Sequence, residues 1–109
     1  MRPVFHEIIH SPIRLQVCSY LDRTDGARFA EVQEKLGITD SHLSKNIRIL
    51  SEADLVEQSR VPITSRTRTK TVTFLSLTPV GKTAFREHSA WLGAITQPTS
   101  NDPEAGSPS

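Results

Sequence analysis

The 109-residue sequence has a single cysteine, Cys18, so no disulfide can close within the chain. A lone thiol fits a reducing compartment, because disulfide frameworks belong to oxidising ones. No run approaches the ~20 apolar residues that a membrane helix needs. The pattern of a secretory leader is missing as well, since Glu7 and His10 stand where a leader is apolar. The expected location is therefore the cytoplasm. From Gln97 to Ser109 there is no large apolar residue, and Pro98, Pro103 and Pro108 punctuate the segment. Such a tail buries too little surface to offset its ordering entropy, and disorder is expected over residues 97–109. Residues 1–96 remain for one domain with a thin core, because a domain of that size buries only ~60–70% of its unfolded surface.

A strong net charge is also lacking. The formal value is +1, and the tail's two acids, Asp102 and Glu104, leave residues 1–96 at +3. That is too mild to imply a polyanionic partner, so the placement of charge matters more than its sum. Between Arg60 and Lys70 the chain reads RVPITSRTRTK, with four bases and no acid. By itself such a run is an ordinary solvated loop, and its neighbours decide its meaning.

Helix signals fill the first half. Ser11 is placed to cap and Pro12 suits the first helical position; Ile13, Val17, Tyr20 and Leu21 then recur at helical spacing up to the Asp25-Gly26 turn. Phe29, Val32 and Leu36 space a short second helix that Gly37 ends. Thr39 caps a third helix, with Asp40 in its positive first turn and Leu43, Ile47 and Leu50 as its buried stripe as far as Glu52. Beyond Leu55 the period changes. Val56–Ser59 and Thr71–Leu77 are rich in β-branched and aromatic residues and predict two strands. Pro62 argues against a continuous central strand, so the basic stretch between them is expected as an extended hairpin tip. Thr78-Pro79 opens a last helix by the same logic as Ser11-Pro12. It carries Ala84, Phe85, His88, Trp91, Leu92 and Ile95, more apolar surface than a thin domain covers alone. The expected fold class is mainly α with a small β-hairpin (α+β), in the order helix, helix, helix, strand, strand, helix.

On a helical wheel Ser41, Ser44, Lys45 and Arg48 gather opposite the apolar stripe of the third helix. No carboxylate joins this hydroxylic and basic face until Glu52. Two helices joined by a glycine-containing turn, the second with a polar outer face, form a helix-turn-helix pattern, and a hairpin with a basic tip adds a wing. The third helix is suited to a major groove, with Ser41, His42, Ser44, Lys45 and Arg48 facing bases or phosphates. Arg60, Arg66, Arg68 and Lys70 are the wing's candidates for backbone contacts.

Several stretches together resemble the winged-helix transcriptional regulators of the MarR/ArsR/PadR type, in particular short stand-alone winged-helix DNA-binding domains. They are His10-Ser11-Pro12-x-Arg14-Leu15, Arg28-Phe29-Ala30-Glu31, Leu36-Gly37-Ile38-Thr39-Asp40-x-x-Leu43-Ser44, Leu50-Ser51-Glu52-Ala53-Asp54-Leu55-Val56 and Leu77-Thr78-Pro79-x-Gly81-Lys82. The resemblance spans roughly residues 8–95. It implies a homodimer built from the terminal helices, bound to a palindromic operator in double-stranded DNA through the third helix and the wing. Ile8, Ile9, Phe85, His88, Trp91, Leu92 and Ile95 are the candidates for the subunit interface. Two positions depart from the pattern. Asn46 stands where such proteins often have histidine, a change expected to alter base or phosphate contacts, and Asp54 stands where glycine is usual.

Other signals are weaker. His6-Glu7-Ile8-Ile9-His10 matches the H-E-x-x-H zinc-protease pattern, but that chemistry needs a helix to aim both imidazoles one way, and Ser11-Pro12 disfavours one. No enzyme, metal site or cofactor is expected. A metal-responsive regulator is the alternative that would draw on His6, His10, Glu87 and His88 of two subunits, and a protein–protein module without DNA binding is another. Cys18, beside Val17, is expected to be a small core residue. Trp91 and Phe85 are expected in dimer core rather than in an effector pocket, and no separate sensory segment assigns a small-molecule effector.

Overall fold

The computed structural model describes residues 1–96. The tail expected to be disordered lies outside the described residues. The elements are α1 (Pro12–Thr24), β1 (Ala27–Arg28), α2 (Phe29–Leu36), α3 (Asp40–Glu52), β2 (Val56–Thr64), β3 (Thr69–Leu77) and α4 (Pro79–Thr96). The predicted order is thus found with one addition, the two-residue β1. It pairs antiparallel with β3, Ala27 opposite Leu75 and Arg28 opposite Phe74, and completes a three-stranded sheet in the order β1-β3-β2. Four helices and this sheet make a winged helix.

Each predicted cap is in place. Ser11 Oγ accepts from the Arg14 amide, Thr39 Oγ1 from that of His42, and Thr78 Oγ1 from that of Gly81. Such caps satisfy amides that a helix start would otherwise leave unpaired, each worth ~1 kcal/mol. Thr78 also donates to the carbonyl of Asp54, tying the start of α4 to the turn after α3. Gly37 ends α2 at φ +64°, the left-handed conformation that glycine adopts without cost. Asp54 makes the corresponding exit from α3 at φ +62°, which an aspartate tolerates better than most residues.

The core joins all the layers. Val17, Cys18 and Leu21 of α1, Val32 of α2, Leu43, Ile47 and Leu50 of α3, and Leu75 of β3 are essentially solvent-free. Ala84 and Phe85 of α4 close one side. Burying a side chain such as Leu or Ile stabilises by ~1.5–3 kcal/mol, so this set is the main source of stability. At Gly81 the backbone of α4 lies so close to the Leu55 carbonyl that any side chain there would collide with it.

The hairpin is longer than predicted. β2 and β3 pair from Val56–Leu77 out to Thr64–Thr69, and Pro62 sits opposite Thr71 within the ladder. The basic stretch is therefore largely strand, with only Ser65–Arg68 as its tip. Pro62 is accommodated because β2 is an edge strand, where a missing amide need not break a ladder on both sides.

Residues 1–10 form an arm without helix that folds back on α4. Its Val4 amide donates to the Glu87 carbonyl, and Ile9 is fully buried in the core.

Candidate nucleic-acid interface

The geometry of α3 separates two faces. Leu43, Ile47 and Leu50 point inward, while Ser41, His42, Ser44, Lys45 and Arg48 are all exposed. Ser44 Oγ is held by Asp40 Oδ1 at 3.2 Å, so one hydroxyl is oriented by the helix itself. On the wing Arg60, Arg66, Arg68 and Lys70 are all exposed. The ion pairs among the described residues are His6–Glu87, Lys82–Asp25 and Arg86–Asp22. None of them uses a base of α3 or of the wing. Cations left without carboxylates on two adjoining elements form a surface suited to an external polyanion.

Asn46 behaves differently from the expectation that it would alter contacts to bases or phosphates. It is buried. Its Oδ1 accepts from Arg14 Nη1 at 2.9 Å, and its Nδ2 donates to the His42 carbonyl at 2.8 Å. Arg14 also donates through Nε to the Ile8 carbonyl at 2.6 Å. The pairing of Asn46 with Arg14 was missed by sequence reasoning. The available signal was spacing, because Asn46 lies three residues after Leu43 and four before Leu50, on the apolar stripe. A buried amide there requires a polar partner.

The residues expected at a subunit interface divide. Ile9 and His88 have no exposed surface, and Phe85 is buried among the core residues. These three pack inside their own chain, which corrects the expectation for them. The arm covers His88 through Phe5 and His6, whereas Phe85 and Ile9 join the core cluster. Ile8 and Ile95 are exposed, and Trp91 and Leu92 are half-buried. Trp91 meets Phe5 with ring centroids 4.8 Å apart and stacks on His88 at 5.6 Å.

The His6–His10 segment is a turn rather than a helix. His6 Nε2 contacts Glu87 Oε1 at 2.9 Å, whereas His10 Nδ1 contacts His88 Nε2 at 3.2 Å. The two imidazoles thus serve different partners, and among the described residues no group of three or more His, Cys, Asp or Glu side chains is placed to hold a metal ion. Cys18 is buried in the core as expected, and burial pushes its thiol up to about 12. It stays a neutral thiol, unsuited to nucleophilic or redox work. No helix among the described residues is long and apolar enough to cross a membrane.

Comparison with known proteins agrees with this geometry. Residues 13–96 match the model of the winged helix DNA-binding domain family, and the chain belongs to that family. It is 27% identical over 82 residues to an uncharacterized protein of Methanocaldococcus jannaschii, covering 75% of this chain and 85% of the relative. The structure of a transcriptional regulator homologue from Pyrococcus horikoshii superposes with a TM-score of 0.72 at 27% identity, covering 81% of this chain and 83% of that one. The transcriptional repressor BigR from Xylella fastidiosa shares the fold with a TM-score of 0.60 at 18% identity, covering 85% and 84% of the two chains. The class is thus that of DNA-binding regulators rather than enzymes.

Proposed function

We propose that this protein is a cytoplasmic, sequence-specific transcriptional repressor that binds palindromic DNA as a homodimer. The observation that carries the proposal is the set of exposed bases and hydroxyls on α3 and the wing, whose bases enter none of the ion pairs among the described residues. In this reading α3 enters the major groove. Lys45 and Arg48 reach base edges or phosphates, Ser41, His42 and Ser44 supply shorter polar contacts, and Arg60, Arg66, Arg68 and Lys70 hold the flanking backbone. Ile8, Trp91, Leu92 and Ile95, the interface candidates that keep exposed surface, pair the subunits. Half-sites would then lie about one helical turn apart, roughly 34 Å.

The test is binding to a duplex selected by the protein from a random-sequence library, measured across salt concentrations. Affinity should fall steeply as salt rises, because phosphate contacts release counterions. Combined Arg48→Ala, Arg66→Ala and Arg68→Ala should abolish binding while the oligomeric state is kept. Unchanged binding in this triple variant would overturn the proposed contact surface, and enrichment of no sequence would overturn specific recognition.

A further inference from the structure

Three imidazoles connect the N-terminal arm to α4, and the DNA-facing surface uses none of them. His88 lies at their centre without solvent exposure. Its Nδ1 receives the backbone amide of His6 at 3.0 Å, and its Nε2 faces His10 Nδ1 at 3.2 Å. A backbone amide only donates, so Nδ1 of His88 carries a lone pair and its one proton sits on Nε2. Nδ1 of His10 must then accept. One neutral tautomer of each ring satisfies the pair. A second proton on His88 would set an N–H against the His6 amide, and one on His10 Nδ1 would set it against the His88 N–H.

The groups around His88 offer its cation no compensation. The arm brings His6 and His10, while its carboxylate, Glu7, is exposed and is not among the groups that act on the His88 ring. On α4 the only carboxylate, Glu87, contacts His6, and the bases Lys82 and Arg86 pair with Asp25, just after α1, and with Asp22 of α1. Arg14 of α1 turns to Ile8 and Asn46, and β3 contributes one charged residue, Lys70 on the wing. Burial first, and then His10 and His6, hold His88 below the usual histidine range. The contact between His6 and Glu87 survives protonation of His6, so opening depends on His88 and His10.

The strap has a connection to the DNA side. The Ile8 carbonyl accepts from Arg14, Arg14 donates to Asn46, and Asn46 donates to the His42 carbonyl in the first turns of α3. Ile9, fully buried, is the natural hinge between the strap and α1.

We propose that residues 4–8 form a proton-operated strap: a proton added to the His88–His10 pair lifts them from α4 and, through Ile8, Arg14 and Asn46, loosens the seating of α3 on DNA. The coupling to DNA rests on the function proposed above, whereas the strap itself does not. Lifting turns on the loss of two contacts at the His88 ring while Ile9 remains in the core.

Two measurements on the full chain test it. Hydrogen exchange, corrected for intrinsic rates, reads the strap without DNA. Between pH 7.5 and 5.5 protection of the Val4 and His6 amides should fall at least about tenfold more than that of Leu50, as expected for local opening in a folded protein. Imidazole 15N shifts should place the His88 proton on Nε2 at pH 7.5. A proton on Nδ1, or Val4 and His6 protection that follows Leu50, would overturn the strap. The coupling is read as affinity for the selected duplex, comparing wild type with His88→Gln, whose amide accepts and donates but does not titrate. Wild type should lose at least about fivefold more affinity on acidification than the variant, the lower end of ordinary allosteric coupling. His42 is common to both proteins and cancels from this comparison. Equal losses would overturn the coupling. Absence of DNA binding at pH 7.5 would overturn the proposed function and the coupling together, leaving the exchange result to decide the strap.

Discussion

Asn46 shows how one side chain changes role once its surroundings are known. From the helical wheel it borders the stripe of α3, and from family pattern it suggested altered DNA contacts. In the fold it is buried and bound to Arg14. Asn46→Ala leaves the half-buried guanidinium without that acceptor, at a cost of about 1 kcal/mol. In a double-mutant cycle Arg14→Met with Asn46→Leu should cost less than the sum of the single changes, measured by urea unfolding. Gly81 is constrained by the Leu55 carbonyl rather than by its own dihedrals. Gly81→Ala should destabilise by about 1–3 kcal/mol, the usual cost of overpacking, seen as a lower urea midpoint with an unchanged slope. Spacing marked Asn46 as stripe-side, but neither its partner nor the close approach at Gly81 was legible in the sequence, because both lie distant along the chain.

At the scale of elements, the helices were readable and the hairpin only in part. Caps and apolar spacing are local, so α1, α3 and α4 begin where Ser11, Thr39 and Thr78 place them. β2 is longer than predicted because nearly every residue from Glu57 to Thr64 is exposed, which leaves no alternation to read. β1 is two residues long and carries no period at all. The exposed residues of α3 and the wing were legible because exposure is what a missing apolar neighbour signals. Arg66→Ala with Arg68→Ala should reduce the slope of log affinity against log salt by about two, if each side chain neutralises one phosphate, in a fluorescence titration across salt concentrations.

The whole molecule adds pH and assembly. Because the folded state holds His88 below its usual range, the unfolded chain takes up the proton first as pH falls. Stability from this group is complete above the unfolded value of about 6.5 and is lost as pH falls from there toward the folded value. Tm should therefore drop between pH 7.5 and 5.5, and His88→Gln should flatten the drop, as read by calorimetry. If α4 pairs subunits through its exposed end, Leu92→Glu with Ile95→Glu should convert a dimer to a folded monomer in sedimentation, with helical content unchanged. The sequence alone determined the order of the helices, the hairpin and the outward basic face, since caps, periodicity and charge placement act over a few residues. Tertiary structure alone decided that the H-E-x-x-H segment belongs to an arm packed on α4, that Ile9, Phe85 and His88 serve the chain's own core, and that Asn46 belongs to Arg14. Those outcomes depend on contacts between residues up to 82 positions apart, which no local pattern encodes.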